Sequence, residues 1–215
     1  MFSFLLGPGY AHAQKVPDSI YDLSLTSLTG EHLPLSNFKG TKMMFVTTQT
    51  KSSLSYQIDD MVKLCEKYSK VVKVFALPLD IINWNKLEDV NSLSNAYYKD
   101  KKANFTVLHN TPVKGADIHP VVQWITNKKY NKVKDFGIKN LFQKFIINEY
   151  GKLLQVFDSQ TDIFDNEVVL SILKESPNIQ QATVDLRKST IDYNTKAIAP
   201  LLNKNTGNTH LAPWM

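Results

Sequence analysis

Met43-Met-Phe-Val-Thr-Thr-Gln-Thr-Lys-Ser52-Ser-Leu-Ser-Tyr-Gln57 joins a strand-like apolar run to the start of a helical pattern. At such a junction, free helix N–H groups and the helix dipole stabilise a thiolate, which makes the position suitable for a reactive cysteine. Ser52 stands there in this chain. A serine hydroxyl stays protonated and is a poor nucleophile unless a strong base lies beside it. The segment therefore has the layout of a thiol site without the thiol.

The residues around this junction predict a strand–helix–strand unit. Lys42–Thr48 is nearly all apolar, which favours a central strand covered on both faces. A second apolar run, Val71–Leu77, ends at Pro78. Between the two runs, apolar residues recur at helical spacing at Leu54, Ile58, Met61, Val62, Cys65 and Tyr68. This order predicts two parallel strands joined by a right-handed helical crossover.

The rest of the chain up to Pro177 shows further turn, strand and helix signals. They predict, in chain order, a hairpin over Ser19–Leu35 with a turn at Gly30, a polar helix over Lys86–Lys101, a short strand at Phe105–Leu108, a helix starting at His119-Pro120, a hairpin of Lys144–Asn148 with Lys152–Phe157, and a helix over Asn166–Lys174 capped near Asp165. Strands and helices thus alternate for most of the length, which is typical of an α/β domain.

Composition excludes some classes of function. Of 215 residues, 43% are hydrophobic and 21% are charged, which are ordinary values for a globular protein. The net charge of +5 comes almost wholly from lysine, because Arg187 is the only arginine. Phosphate and base recognition depend on the fixed fork of arginine, so nucleic-acid binding is not expected. No segment approaches the ~20 consecutive apolar residues of a membrane span, so no integral membrane segment is expected either.

Cys65 is the only cysteine, which excludes an intramolecular disulfide and a cysteine-rich metal site. The five histidines are not paired at the short spacing that zinc sites use, and neither a metal nor another cofactor is expected. Cys65 falls on the apolar face of the predicted helix after Ser52. That placement favours a core residue, since buried free cysteines are usually inert. Cys65 is nevertheless the one residual thiol that redox chemistry could use.

The two ends of the chain differ in composition from the part between them. Residues 1–13 are apolar and end in Ala11-His12-Ala13, a small-x-small cleavage pattern, which predicts an export signal and a mature chain from Gln14. The charged n-region of such a signal is missing, so either the true start lies upstream or the segment is not a signal. We expect a periplasmic or secreted protein, with a cytoplasmic one as the alternative.

A second change in composition follows Pro177. Residues 178–215 are rich in Asn, Thr, Gln and Lys, and we interpret them as a polar C-terminal extension that is partly helical over 178–188. The sequence thus divides into a signal remnant at 1–13, a globular domain at 14–177 and the extension. The extension is a candidate for binding a protein partner.

Together, several segments resemble the glutathione peroxidase family, a branch of the thioredoxin fold. The matching residues are Ser19–Leu23, Gly30, Leu35–Gly40, Lys51, Leu54, Phe75–Pro78, Val113–Pro120, Trp124 and Phe142–Lys152. They keep the order and spacing of the family from about Asp18 to Leu173. The resemblance implies a thioredoxin-like α/β fold, in which helices flank a central mixed β-sheet that is preceded by an N-terminal β-hairpin.

The resemblance also identifies the positions that carry the family's chemistry. A cysteine or selenocysteine attacks the peroxide, while a glutamine, a tryptophan and an asparagine hydrogen-bond around it. The equivalent positions in this chain are Ser52, Ile81, Asn140 and Leu141. All four differ from the family, and the helix ending at residues 95–99 lacks the resolving cysteine of thioredoxin-dependent members. The resemblance therefore implies that the pocket has been neutralised or given another use.

Three functions remain open, so whether the chain is an enzyme is undecided by sequence. The first is a catalytically degenerate pseudoperoxidase that acts by binding, through residues 178–215 or the rim of the altered pocket. The second is an active thiol peroxidase that uses Cys65 with thioredoxin or glutathione in the response to oxidative stress. The third is a non-redox enzyme. Ser52 has no histidine or Ser-x-x-Lys partner nearby, so we interpret it as a helix N-cap rather than as a nucleophile.

Overall fold

The computed structural model describes residues 16–80, 85–115 and 117–175. The strands are β1 (Ser24–Thr26), β2 (His32–Pro34), β3 (Lys42–Thr48), β4 (Val72–Pro78), β5 (Thr106–Val107), β6 (Lys144–Ile147) and β7 (Leu153–Phe157). The helices are α1 (Tyr56–Tyr68), α2 (Leu87–Ser94), α3 (Pro120–Thr126), α4 (Lys128–Asn131) and α5 (Asn166–Leu173). A π-helical segment, Asn95–Asp100, continues α2, and Ile20–Asp22 and Leu35–Phe38 form 3₁₀ turns.

A mixed five-stranded sheet with the order β5-β4-β3-β6-β7 forms the centre of the fold. β3 pairs in parallel with β4 and antiparallel with β6, and every residue of β3 is buried. Successive side chains of a strand point to opposite faces. Accordingly Met44 packs in one core cluster with α1 and α5, and Met43 packs in another with α3. The predicted strand–helix–strand unit and the mixed sheet flanked by helices are confirmed.

The N-terminal hairpin is also confirmed, with shorter strands than the sequence predicts. β1 and β2 pair antiparallel, and Gly30 between them has a φ of +86°, a conformation that glycine adopts without steric cost. Ile20–Asp22 forms a 3₁₀ turn rather than strand, because the hydroxyl of Ser19 accepts a hydrogen bond from the N–H of Tyr21. Such a bond gives a backbone N–H the partner that a neighbouring strand would otherwise supply.

The N-termini of α3 and α5 begin as predicted. Pro120 stands in the first turn of α3, and His119 Nδ1 accepts from the Val121 N–H. Asp165 caps α5 by accepting from the Glu167 N–H. At the other end of α5, the buried Lys42 ammonium donates to the Lys174 carbonyl at 2.6 Å and pairs with Glu149 at 3.3 Å. The four-residue helix α4 escaped prediction because it is too short to show a period.

Some sequence predictions fall outside the described residues. The export signal at 1–13, the extension at 178–215 and the substituted position Ile81 are among them, so the proposed domain boundaries stay predictions. Where the structure describes the chain, no helix combines the length and apolarity needed to span a membrane.

Candidate functional site

The loop between β3 and α1 places Ser52 ahead of the helix rather than at its cap. The Ser52 hydroxyl donates to the Gln49 carbonyl at 3.3 Å, and the Ser52 carbonyl accepts from the Ser55 N–H at 3.1 Å. Further i→i+3 bonds, such as Gln57 N–H to Leu54 O at 3.0 Å, extend this turn into α1. Ser55 is the N-cap residue, and it makes no side-chain cap bond. The N-cap interpretation of Ser52 is therefore wrong, because the extra turn delays the start of the helix.

Asp80 holds the β3–α1 loop against the end of β4. The Thr50 N–H donates to Asp80 Oδ1 at 3.1 Å, and the Thr50 hydroxyl donates to the same oxygen at 2.7 Å. One residue away, the Leu79 N–H donates to the Thr48 carbonyl at 2.7 Å. The ends of two parallel strands are thus joined by a carboxylate and by backbone. Sequence reasoning missed Asp80, since no local pattern connects it to a residue thirty positions earlier.

The segment at Asn140–Phe142 is held to β3 by Thr47. The Thr47 hydroxyl donates to the Asn140 carbonyl at 2.9 Å and accepts from the Gln143 N–H at 2.9 Å. The Phe142 N–H donates to the Thr47 carbonyl at 2.6 Å. Phe142 is buried with a φ of +57°, an unusual conformation for a bulky residue that the surrounding bonds must maintain. Backbone contacts therefore position Asn140 and Leu141 whatever their side chains are.

A buried ammonium supports the same segment from behind. Lys144 Nζ donates to the carbonyls of Phe142 at 2.9 Å and Thr161 at 2.6 Å, and to Gln57 Oε1 at 3.2 Å. Burial lowers the pKa of Lys144 to about 8, while the charges of Asp162 and Asp158 act in the opposite direction. Lys144 therefore ties the first turn of α1 to the site segment. The sequence shows only a lysine opening an apolar strand, so this role was not predictable.

Asp80 lines two cavities. We call the larger one, about 400 Å³, the Leu141 cavity; it is lined by Asn140 and Leu141 together with residues 78–80, 111–114 and 138–139. The second, about 360 Å³, is the Lys51 cavity; it is lined by residues 49–51 and 80, together with Asp89, Ser92, Leu93 and Ala96. Ser52 is not among the described residues that line either cavity.

The helix beyond the Lys51 cavity is locked to β3 by a buried pair of hydroxyls. Tyr97 lies in the π-helical segment, and its hydroxyl is 2.6 Å from the Thr48 hydroxyl. Burial is the main reason why the pKa of Tyr97 is raised. The hydroxyl therefore stays protonated, and it acts as a structural partner rather than as an acid or base. The π-helical segment is where the sequence predicted a helix without a resolving cysteine.

Cys65 lies in the core, away from the loop that carries Ser52. Its residue exposure is 6%, and burial raises the pKa of its thiol to about 12, with Lys73 opposing and Glu66 reinforcing the shift. Cys65 is nine residues beyond the first residue of α1, which is roughly 14 Å along the axis at the standard helical rise. A protonated thiol is a weak nucleophile and is oxidised slowly. Cys65 is also not among the described residues that line either cavity.

Candidate metal ligands do not converge in the part of the chain that the structure describes: no three His, Cys, Asp or Glu side chains form a group able to hold a metal ion. His119 serves as a helix cap, and burial lowers the pKa of its imidazole. Among the described residues, the chemistry near Ser52 thus consists of hydroxyls, amides, lysines and Asp80.

A central mixed sheet, a parallel β3–α1–β4 unit and a loop at the carboxyl end of β3 define a thioredoxin-like protein. Comparison with known proteins agrees. The glutathione peroxidase family model matches residues 20–126. The chain belongs to the glutathione peroxidase family, within the thioredoxin-like superfamily.

Individual relatives support this assignment over most of their length. The glutathione peroxidase of Lactococcus lactis is 23% identical over 145 residues, which are 67% of this chain and 92% of the relative. The glutathione peroxidase-like peroxiredoxin gpx1 of Schizosaccharomyces pombe is 24% identical over 143 residues, 65% and 88% of the two chains. The sequence alignment therefore includes nearly the whole of each relative.

Solved structures support the fold. The crystal structure of T. cruzi GPX1 superposes with a TM-score of 0.51 at 18% identity, and the match covers 71% of this chain and 92% of that one. A thioredoxin-family thiol:disulfide interchange protein of Chlorobium tepidum gives a TM-score of 0.50 at 19% identity, with 70% and 92% covered. The thioredoxin-like architecture extends over about the same residues in both.

Proposed function

We propose that this chain is a pseudoperoxidase, a member of its family that no longer reduces peroxides and acts by binding. The observation that carries the proposal is the Leu141 cavity, where Asn140 and Leu141 stand at the family's tryptophan and asparagine positions. Ser52 replaces the nucleophile, and Ile81 replaces the glutamine. The backbone frame of the site is retained, while the side chains that perform the family's chemistry are not.

Peroxide reduction needs groups that these replacements do not supply. A thiolate must attack one oxygen of the O–O bond, and the leaving hydroxide needs hydrogen-bond donors or a proton as it departs. Leu141 has no donor, and the Ser52 hydroxyl donates to the Gln49 carbonyl. Serine also cannot form the sulfenic acid through which a cysteine is recycled. The substitutions support loss of the reaction rather than a change of reductant.

The alternative is an active thiol peroxidase that works through Cys65, with thioredoxin or glutathione as the reductant. Its support is membership of the family together with the presence of one thiol. Burial of Cys65 and a thiol pKa of about 12 argue against it, because thiolate at neutral pH would be scarce and shielded from peroxide. We therefore rank this function second.

Peroxide consumption by the full chain tests the proposal. Hydrogen peroxide and an organic hydroperoxide are supplied with thioredoxin or with glutathione, and oxidation of the reductant is followed. We expect no turnover above the protein-free rate in the wild type, in Cys65→Ser or in Ser52→Ala. Turnover that is lost in Cys65→Ser establishes the thiol peroxidase instead. Turnover that is lost in Ser52→Ala contradicts the pseudoperoxidase, because it makes the Ser52 hydroxyl necessary for peroxide reduction.

We also propose that the chain is exported and that residues 178–215 bind a protein partner. The supports are the Ala11-His12-Ala13 pattern and the polar composition after Pro177.

Fractionation of the native host tests export, with the mature N-terminus expected at Gln14 in the periplasmic or secreted fraction. Deletion of residues 178–215 tests the second: it should abolish capture of the partner and leave the melting transition of the domain intact.

A further inference from the structure

We propose that two copies of this chain associate through the outer edge of β7, which pairs antiparallel with the same strand of the partner across a two-fold axis at Gln155. This surface is separate from the two cavities, since no residue of β7 is among the described residues that line them. An uncovered strand edge, two charges that the pairing brings together and exposed leucines on the neighbouring helix support it.

The two edges of the central sheet differ. β5 forms one edge, and the end of the N-terminal hairpin covers it: the Leu28 N–H donates to the Val107 carbonyl at 2.7 Å, and the His109 N–H donates to the Thr26 carbonyl at 2.9 Å. β7 forms the other edge, and among residues 16–80, 85–115 and 117–175 no strand pairs with its outer side. Such an edge offers backbone donors and acceptors to another strand. In the described part of the chain, β7 is therefore the edge at which strand pairing can continue.

The composition of β7 suits a strand with a second neighbour. Proteins often protect an open edge with lysine or proline, but Leu153–Phe157 contains no proline and no charged residue. Leu154 and Gln155 are exposed. The register with β6 shifts beside Leu154, and Gln155, Val156 and Phe157 are paired regularly with β6 beyond that shift. β6 therefore holds this part of the strand extended, as pairing on the outer side requires.

Pairing through Gln155 brings opposite charges together at both ends of the strand. Lys152 precedes β7 and Asp158 follows it, each three residues from Gln155, so antiparallel pairing sets Lys152 of each copy opposite the partner's Asp158. Both residues are exposed, and neither forms an ion pair with any residue that the structure describes. Opposite charges directly across an antiparallel pair are stabilising. An axis at Val156 would instead set Lys152 opposite Gln160, so the charges select one register.

The helix beside the edge supplies apolar surface. α5 packs on one face of β7, where Phe157 shares a core cluster with Val168 and Ile172. The two-fold axis of such a pair is perpendicular to the sheet, so both copies of α5 lie on the same face of the joined sheet. Leu170 and Leu173 of α5 are 59% and 48% exposed. A standard interface buries about 800 Å² per partner, which is more than one strand provides, and these leucines are apolar surface available for the remainder.

Analytical ultracentrifugation of the full chain tests the proposal, and we expect a dimer of the wild type at about 100 μM. Lys152→Glu sets two carboxylates opposite each other at both ends of the pair, and Asp158→Lys sets two ammonium groups there. Each variant should weaken dimerisation roughly tenfold, since each exposed pair contributes modestly. The double variant Lys152→Glu/Asp158→Lys restores opposite charges and should dimerise like the wild type. The control Lys70→Glu makes the same charge change at an exposed lysine after α1 and should leave the dimer intact.

Gln155→Lys tests the position of the axis, because it sets two like charges opposite each other there, and it should abolish the dimer. Circular dichroism confirms that each variant is folded. Asp158→Lys also removes hydrogen bonds from the N–H groups of Gln160 and Thr161, so the rescue in the double variant is the decisive comparison. Three results overturn the proposal: a monomeric wild type at about 100 μM, a double variant that dimerises no better than Lys152→Glu, or a Gln155→Lys dimer as stable as that of the wild type.

Discussion

A thiol enzyme carries its reactive thiol at the active-site loop. In this chain the loop lies at one end of α1 and the thiol lies toward the other end. The loop before α1, around Ser52, is half-exposed and lies at the carboxyl ends of β3 and β4, but it has no thiol. The far half of α1 carries the only thiol, Cys65, and is packed into the core. Position and reactive group are thus uncoupled. The hydroxyl of Thr47 and the carboxylate of Asp80 hold the site segments in place, and neither bond depends on a thiol at position 52.

The largest expected effect contrasts the same residue type at the two ends of α1. Leu64 is fully buried, whereas Leu54 in the loop is partly buried. We expect Leu64→Ala to lower the free energy of unfolding by about 3 kcal/mol, because it leaves a cavity in the core, and Leu54→Ala by about 1 kcal/mol. Urea denaturation of the two variants measures the difference. Equal losses would mean that the loop is packed as tightly as the core.

The next effect concerns pH and Lys144, which joins the loop end of α1 to Phe142. Its pKa of about 8 in the folded chain lies below the unfolded value of 10.5. Between these values the unfolded chain binds more protons, so stability should rise with pH there, by about 3 kcal/mol, and should gain nothing below pH 8.

Denaturation at a series of pH values tests this expectation, with Lys144→Met compared with the exposed-lysine control Lys70→Met. The rise should be present in the wild type and the control, and absent from Lys144→Met. If the rise in stability persists in Lys144→Met, other titratable groups cause it.

A smaller effect distinguishes the two candidate nucleophiles by stability rather than by activity. Cys65→Ser places a hydroxyl in an apolar part of the core, and we expect a cost of about 1 to 2 kcal/mol. Ser52→Ala removes one 3.3 Å hydrogen bond in a half-exposed turn and should cost no more than about 0.5 kcal/mol. Thermal melting compares the two variants. A larger loss for Ser52→Ala would show that the loop determines the stability of the domain.

The smallest effect expected of a single substitution is on catalysis when the thiol is put back. Ser52→Cys restores the nucleophile but not its hydrogen-bonding partners, so we expect no peroxide turnover above background. Replacement of Leu141 by Asn in the same chain should raise the rate, since one well-placed donor is worth about 10²-fold or more. Family-level turnover in Ser52→Cys alone would show that the frame of the site suffices for activity.

Periodicity predicted the elements that bury a face, and for a physical reason. β3, α1 and β4 are each specified by their own apolar pattern, so they could be identified without tertiary information. The proline in the first turn of α3 and the cap at Asp165 are equally local. The start of α1 was misplaced, because the serines at 52, 53 and 55 can each continue a turn or cap a helix with little difference in energy.

The site itself was predictable only in part. Alignment to family motifs identified Asn140 and Leu141, and the structure places both beside one cavity. The bonds that build this site connect distant residues: Thr50 to Asp80, Thr47 to Asn140, and Lys144 to Thr161. Such contacts leave no mark in local sequence.

The pairing of β3 with β6 has a consequence for synthesis on the ribosome. Met43 lies opposite Ile147, so the strand that is made early acquires its second neighbour more than a hundred residues later. The β3–α1–β4 unit can assemble first, but one side of β3 stays open until the last hairpin emerges. A chain that stalls before β6 therefore exposes an apolar strand edge, a hazard for aggregation, and the Leu141 cavity is among the last parts of the domain to be completed.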